Sequence, residues 1–421
     1  MSLFFKECKN ILKSYIYYVF IAVVVLFYIS QMGMAVPKDL EKMFSPPKKV
    51  SIEEVYAPYG ERESEPSKAM IPKVSAELYR EYKDNSYGTY PAGIYKKVKL
   101  NIDETKKIEL VLEEITGRTI KELDEMWDSN KVSEPLHNQN ITFERFQELM
   151  INTDEILGVG SAYGKSFIGR FARVPITYEE AMEDYEYTIN KDRLTSFYAR
   201  LFCDYIGIII GIFPIFVATF MSIKDKKTKM CNLVYSRNTS SLKLIFSRYF
   251  ALVFMMIIPV IALGIKETIV FILYANSNNL SINMFAFIKY IIWWIMPTLM
   301  MVTSMGMFLT ILTDTPLVIL VGLFTWFFNL SHIKLSGDYP LMGLFIRHNI
   351  DRGGALGGAL IEENLSKIMA NRLLITGISL FIVIATSYIY EKKRSGKLDI
   401  GTKMGKSFRF SKSKYKTSHI K

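Results

Sequence analysis

Long apolar runs alternate with polar stretches along the 421 residues of this chain. A helix needs about 20 apolar residues to cross roughly 30 Å of hydrocarbon, and lipid offers exposed backbone groups no hydrogen-bond partner. Apolar runs of about this length lie at 15–35, 197–221, 249–274, 285–312, 316–332 and 373–390. The pattern therefore predicts an all-α polytopic membrane protein with six transmembrane helices.

The third run is interrupted by Lys266 and Glu267. One interpretation ends the membrane-embedded part near Ile265 and leaves the two charges at the outer interface, where long side chains reach water at little cost. The alternative places a charge in a transport pathway, because buried ionisable residues in membrane helices usually serve function. The first interpretation is favoured, since the charges stand towards the end of the run.

Other residues in the runs leave two interpretations open. Pro214, Pro259 and Pro297 fall inside three runs, where proline frees a backbone carbonyl and bends a helix. They could be hinges, although proline is common in membrane helices in general. Arg200 and Asp204 are four residues apart at the outer end of the second run, and a helix could pair them as an anchor.

Residues 36–195 form a polar, acid-rich block between the first two runs, of a size typical for one domain. Apolar residues spaced three and four apart predict helices at 105–127 and 141–156. Thr177 and Glu180 have the spacing of a helix capping box. The block is therefore predicted to be an extracytoplasmic domain that is α-rich or α+β.

Basic residues concentrate in the N-terminal segment, in the 222–247 loop and after the last run. Lys and Arg in such segments mark the cytoplasmic side, and six crossings place all three segments there. A multi-pass plasma-membrane protein with both termini in the cytoplasm and 36–195 outside the cell is expected. The expected parts are an interfacial amphipathic helix (1–13), a first transmembrane helix (14–35), the outer domain (36–195), transmembrane helices two to six (196–392) with an outer or re-entrant segment (333–370), and a basic cytosolic tail (393–421).

The positive net charge of +11 belongs to these three basic segments on the cytoplasmic side, so it does not indicate a nucleic-acid partner. The basic tail is expected to rest on anionic lipid headgroups. The three cysteines lie outside the polar block, so no disulfide framework is encoded there. The four histidines show no metal-ligand spacing, and no cofactor is expected.

One stretch of the polar block, GVGSAYGKS at 158–166, is close to a phosphate-binding loop. Such a loop needs four residues between its first Gly and the Gly-Lys pair. Here Gly158 leaves five and Gly160 leaves three. A glycine-rich turn is the better interpretation, so the chain is not expected to hydrolyse ATP itself.

The 222–247 loop, SIKDKKTKMCNLVYSRNTSSLKLIFS, combines a charged start with apolar residues such as Leu233, Val234 and Tyr235. A solvated loop does not need apolar anchors, whereas a segment that docks into a groove on another protein does. The loop is therefore predicted to bind a partner protein.

Residues 200–251 resemble the permeases of type-2 ABC exporters. The resemblance is carried by a Tyr-Ser-Arg-x-x-Ser-Ser run at 235–241 and by Arg248 and Tyr249 at the start of the next span. It extends to the overall plan, to Asn371 and Arg372 before the last span, and to 390–394 after it. It implies that the loop holds a coupling helix that contacts a separate ATPase subunit. The implied docking residues are Asp225, Asn232, Tyr235, Ser236, Arg237, Ser240 and Ser241.

Many members of that family carry Glu where this chain has Asn232, and Asp225 could supply the missing charge. The resemblance also implies that two permease chains, identical or different, assemble with two ATPase subunits. The chain itself would then not be an enzyme. The alternative is a membrane-anchored sensor or receptor with an extracytoplasmic ligand-binding domain, which normally adds a signalling domain inside the cell. A secondary transporter would show paired half-repeats, and the large block after the first run breaks any such symmetry.

Overall fold

The computed structural model describes residues 3–33, 45–50, 57–91, 95–128, 138, 140–165, 168–227, 235, 238–332, 339–347 and 357–398. The chain divides into two compact units. Residues 48–181 form the polar domain, and the chain on either side of them forms the helical bundle.

Helices dominate both units. In chain order they are α1 (Leu3–Leu12), α2 (Tyr15–Met32), α3 (Ile71–Lys83), α4 (Ile102–Thr116), α5 (Ile120–Asp128), α6 (Phe143–Leu157), α7 (Tyr178–Glu186), α8 (Leu194–Ile210), α9 (Phe213–Lys227), α10 (Ser241–Asn278), α11 (Ala286–Tyr290), α12 (Met296–Thr313), α13 (Val318–His332) and α14 (Gly357–Arg394). Single π-helical turns precede α8 and α12, at Tyr187–Asp192 and Ile291–Ile295. The strands are β1 (Glu61–Glu63), β2 (Tyr87–Thr89), β3 (Lys96–Val98) and β4 (Arg173–Pro175).

Four helical stretches of the bundle are long and apolar enough to cross a membrane. They are α2, α10, the run from α11 through α12, and α14 from Ile361 onward. The α8–α9 pair, bent by 42°, makes a fifth if it counts as one span, and α13 is apolar but shorter. The described residues therefore form a multi-pass α-helical membrane protein with four or five candidate spans, where the sequence pattern predicted six.

The charges in the third run do not end a helix. The 38-residue α10 continues through Lys266 and Glu267 to Asn278. Glu267 is completely buried and accepts hydrogen bonds from the Tyr28 hydroxyl and the Lys266 ammonium group. Glu267 is therefore buried within the protein, against a hydrogen-bond donor on α2 that the spacing of α10 alone does not reveal, while the position of the pair at the outer interface stays a prediction.

The predicted outer or re-entrant segment, 333–370, contains an irregular part and a helical part. Residues 339–347 form an irregular segment in which Leu344, Phe345 and Arg347 are buried. The chain from Gly357 onward already belongs to α14, which therefore begins before the predicted start of the last span. Residues 333–338 and 348–356 lie outside the described residues.

The polar domain packs α3 to α6 around an apolar core that includes Leu78, Ile108 and Phe146. The predicted helix at 105–127 is two helices, because Gly117 ends α4 in a left-handed conformation with φ +66°. The Thr177–Glu180 capping box is confirmed, since each side chain accepts a hydrogen bond from the other residue's N–H. Two antiparallel strand pairs, β1–β4 and β2–β3, complete an α-rich domain.

The stretch that is close to a phosphate-binding loop begins with a tight turn. Gly158 and Gly160 both have φ +86°. A Cβ atom on Gly160 would lie 2.5 Å from the backbone carbon of Tyr90, so the turn packs directly against the chain that follows β2. The Ser161 hydroxyl donates to Asp154 at 2.6 Å and is thus used within the turn.

Candidate functional site

The structure describes part of the predicted docking set. Tyr235, Ser240 and Ser241 are described, and Asp225 lies in α9 with its side chain outside the described residues. The residues Asn232, Ser236 and Arg237 also lie outside them. The described part of the site consists of the second half of the loop and the elements that this half contacts.

The end of α14 holds the loop through its backbone. The Arg394 guanidinium group donates to the carbonyl oxygens of Tyr235, at 2.9 Å, and Thr239, at 2.7 Å. The Tyr235 ring packs edge-on against Tyr390, with 5.6 Å between the ring centroids. A guanidinium group has five N–H donors in a fixed plane, which suits it to binding two carbonyl groups at once. The position of the Tyr235 backbone is thus fixed by the last helix of the bundle.

The two serines begin α10. Ser240 is the N-cap residue, and its hydroxyl accepts a hydrogen bond from the N–H of Lys243 at 3.3 Å. The Ser241 hydroxyl donates to the Glu391 carboxylate on α14. N-cap side chains satisfy N–H groups that the first turn of a helix leaves without partners. Ser240 thus ends the connecting segment before the predicted residue 247, and α9 continues to Lys227 at its start, so both ends of the predicted loop are helical. Ser241 attaches the new helix to α14.

Asp314 connects two further elements at this end of the bundle. It follows α12 in a left-handed conformation with φ +56°. Its carboxylate forms ion pairs with Lys393 on α14, at 2.7 Å, and Lys226 on α9, at 3.1 Å. We call Tyr235, Thr239 to Ser241, Asp314 and Glu391 to Arg394 the loop end of the bundle. Lys226 near the start of the loop, the residues Thr239 to Ser241 near its end and the end of α14 all meet there.

The N-terminal helix reaches the same end. Glu7 on α1 forms an ion pair with Arg248 near the start of α10, at 3.2 Å. The apolar residues of the predicted amphipathic helix are only partly buried, because Cys8 and Ile11 are covered whereas Phe5 and Leu12 are exposed. Exposed apolar residues on a short basic helix suit a position along a lipid surface.

The predicted pairing of Arg200 with Asp204 is wrong. Arg200 forms an ion pair with Asp192 and donates to the Tyr290 hydroxyl at 3.2 Å. Asp204 accepts two hydrogen bonds from Arg347, at 2.7 and 3.2 Å, and both residues are buried. Asp192, eight residues before Arg200, and Arg347, 143 residues after Asp204, are thus the partners instead.

Sequence reasoning missed Asp314 and Glu391 as parts of the site. The turn at 313–315 contains too few residues to indicate on which side of the membrane it lies, and Glu391 is followed by basic residues. The available signal was that each is the only acidic residue in its immediate stretch of sequence. Among the described residues, no cluster of three or more His, Cys, Asp or Glu side chains could hold a metal ion. No family model, curated protein or solved structure matches this chain.

Proposed function

We propose that this chain is the transmembrane permease subunit of an ATP-binding cassette transporter, working as an exporter. A separate ATPase subunit would dock on the 222–247 loop and supply the energy. The observation that carries the proposal is the attachment of this loop to the last helix through Arg394 and Glu391. A force applied to the loop would reach α9, α10 and α14 together.

The contacts at the loop end support the proposed topology. Lys393 and Arg394, which end α14, contact Asp314 and the loop backbone. Because α12 ends and α13 begins at this same end, α13 leads away from it and α14 returns to it. The Glu7–Arg248 pair brings the N-terminal helix to the same end. These contacts favour six crossings with both termini on one side of the membrane.

The charge at the loop end supports a cytoplasmic position. Lys224, Lys226, Lys243 and the 392–394 run give this end an excess of positive charge. Basic residues close to the ends of membrane helices are retained in the cytoplasm. The ATPase is expected there, since nucleotide is available on that side. By the resemblance, two permease chains and two ATPase subunits would form the working assembly, and the chain would carry no bond chemistry of its own.

The proposal is tested by co-expressing the chain with the ATP-binding cassette ATPase subunits of its own organism, one at a time, then measuring co-purification and ATP hydrolysis. Tyr235→Ala and Arg237→Ala are expected to weaken the complex by about tenfold or more, because tyrosine and arginine often dominate interface energy. Lys121→Ala, an exposed change in the polar domain, serves as the control and should leave the complex intact. Solute movement by the purified chain alone, without nucleotide, would overturn the proposal.

A further inference from the structure

The α8–α9 pair is broken in its backbone and not merely curved. The N–H of Ile212 donates to the carbonyl of Ile209, three residues back, at 3.1 Å. An uninterrupted helix would send that N–H to Ile208. Pro214 has no N–H, so the carbonyl of Ile210 also loses its helical donor. The break at 211–212, with its 42° bend, is therefore a defined structural feature.

The carbonyl that the break releases has a specific partner. The indole N–H of Trp326, on α13, donates to the carbonyl oxygen of Ile208 at 2.9 Å. A backbone carbonyl without a donor is costly inside an apolar bundle, because no water replaces the missing hydrogen bond. Trp326 therefore stabilises the bent form of the pair over a straight helix.

An aromatic ring occupies the space beside the break. A Cβ atom on Gly211 would lie 2.0 Å from Cε1 and 2.5 Å from Cζ of Phe345. Only glycine leaves room for this ring, so Gly211 and Phe345 depend on one another. Phe345 belongs to the irregular segment 339–347 and is 4% exposed.

The segment that carries Phe345 is fixed to the α8 side of the break. The buried Arg347–Asp204 pair ties it to α8. The Asn371 side chain donates to the carbonyls of Pro340, Leu341 and Gly343, each at 2.9 Å, which ties the segment to α14. The other side of the break, α9, leads directly into the 222–247 loop.

We infer that the break at 211–212 is the hinge through which the 222–247 loop moves the bundle, with Phe345 and Trp326 as the positioning residues that set its angle. This inference rests on the proposed function. Nucleotide binding by the ATPase would displace the loop, and α9 would pivot as a lever while α8 stays held by Asp204 and Arg347. Small residues on the helices beside α9 let them lie close against it, so they would follow its movement. Gly306 is one of them, and a Cβ there would lie 3.0 Å from Ala218 on α9.

The test measures the angle across the hinge. Spin labels at Lys191→Cys and Lys224→Cys, in a chain whose three cysteines are replaced by Ala, report the distance between the two sides of the break. The complex with the ATPase is compared without nucleotide and after trapping with ATP and vanadate. The native break is expected to give two distinct distances for the two states.

Gly211→Ala is expected to displace Phe345 and abolish the nucleotide-dependent distance change. Gly207→Ala is the matched control, because a Cβ at that position meets no atom within 4 Å. The double variant Gly211→Ala with Phe345→Ala should recover the change, since removal of the ring makes room for the methyl group. Trp326→Phe, which deletes the donor to Ile208, should broaden the distance distribution and gives a second test if Gly211→Ala folds poorly.

The outcomes separate this inference from the proposed function. If the complex forms and hydrolyses ATP but the labelled distance stays constant between states, the hinge is wrong and the permease proposal stands. Equal behaviour of Gly211→Ala and Gly207→Ala would also overturn the hinge. If no complex forms, the proposed function fails and the hinge fails with it.

Discussion

Arg372 places a positive charge inside the apolar bundle, where only 3% of the residue is exposed. A buried ion is tolerated when its hydrogen-bonding groups all have partners. The guanidinium group has five N–H donors and makes five hydrogen bonds. The acceptors are the side-chain oxygens of Asn371 and Thr298 and the carbonyls of Trp294, Gly343 and Leu344. Arg372 thus joins α12, α14 and the 339–347 segment.

Replacement of Arg372 by Lys is expected to destabilise the bundle although the charge is kept. An ammonium group has three donors, so at least two of the five hydrogen bonds would be lost. A hydrogen bond to a charged group contributes about 1.5–3 kcal/mol, which predicts a loss of about 3 kcal/mol or more. Thermal unfolding of the purified chain in detergent measures this. Lys367→Arg, the reverse exchange at an exposed site on the same helix, should change the midpoint little.

Glu81 gives the polar domain a pH dependence. Burial raises the pKa of its carboxyl, and hydrogen bonds from the Tyr163 hydroxyl and the Gly88 N–H act in the opposite direction. The folded chain therefore holds the carboxyl proton more tightly than the unfolded chain does. Stability from this group is fully present below the unfolded pKa, about 4.3, and is lost as pH rises through the higher folded value.

Glu81→Gln is expected to remove this part of the pH dependence, because the amide keeps an acceptor oxygen but cannot ionise. Calorimetric unfolding of the full chain between about pH 4 and pH 7 measures the effect on the polar domain. Glu125→Gln, the same exchange at an exposed position of α5, should leave the pH dependence of the native chain in place. A Glu81→Gln chain that still loses stability over this range as the native chain does would contradict the assignment.

At the scale of elements, the turn at 158–160 offers a matched pair of substitutions. Gly158 and Gly160 have the same φ of +86°, so an alanine is strained equally at either position. A Cβ at Gly158 meets no atom within 4 Å, whereas one at Gly160 would overlap the Tyr90 backbone. Gly158→Ala should cost about 1–2 kcal/mol and Gly160→Ala clearly more, because backbone cannot move aside as a side chain can.

Hydrogen exchange of the full chain would locate the damage from these two variants. Gly160→Ala should increase exchange at Tyr90, whose N–H donates to the Gly160 carbonyl at 2.7 Å. Gly158→Ala should leave that amide protected. Equal exchange in both variants would mean that the close approach to Tyr90 does not stabilise the turn.

Sequence reasoning succeeded where chemistry is local. The Thr177–Glu180 cap and the glycine-rich turn at 158–160 depend on residues only a few positions apart. The second apolar run was predicted as a single span, yet its break is stabilised by Trp326, 118 residues beyond the carbonyl that it binds. The buried state of Glu267 likewise depends on Tyr28, 239 residues away. The spacing of residues within one apolar run gives no information about partners that lie so far away in the sequence.

In the candidate site, too, local features could be predicted from the sequence and contacts between distant elements could not. The apolar and hydroxyl residues of the 222–247 loop could be singled out from the sequence, because apolar anchors are conspicuous in a charged loop. The way in which α14 and Asp314 hold that loop could not, since ion pairs such as Lys393–Asp314 join elements that are adjacent only after the bundle forms.

At the scale of the whole molecule, the direction of each helix depends on contacts at the loop end. Tyr17, early in α2, donates to the carbonyl of Met255 at 3.0 Å, and Glu7 pairs with Arg248. These contacts place the start of α2 beside the first half of α10. The Lys393–Asp314 pair brings the end of α14 to the same end. An even number of crossings is the simplest way to satisfy both sets of contacts.

This arrangement predicts the labelling pattern of single cysteines in an otherwise cysteine-free chain. Lys9→Cys, Lys243→Cys and Lys397→Cys replace exposed residues on three segments that meet at the loop end, and Glu125→Cys lies in the polar domain. A maleimide reagent that does not cross membranes should modify only Glu125→Cys on intact cells. After permeabilisation, all four positions should react, because the basic segments are retained inside.

The three basic positions are expected to behave alike, and this agreement is the sharpest part of the prediction. If Lys397→Cys reacted from outside while Lys9→Cys did not, the number of crossings would be odd and α13 would not be a span. The Lys393–Asp314 and Glu7–Arg248 pairs could not then both persist in the membrane. If all three reacted from outside and Glu125→Cys did not, the bundle would be inverted. A loop facing away from the cytoplasm could not receive force from an ATP-hydrolysing subunit, and the proposed function would fall with the topology.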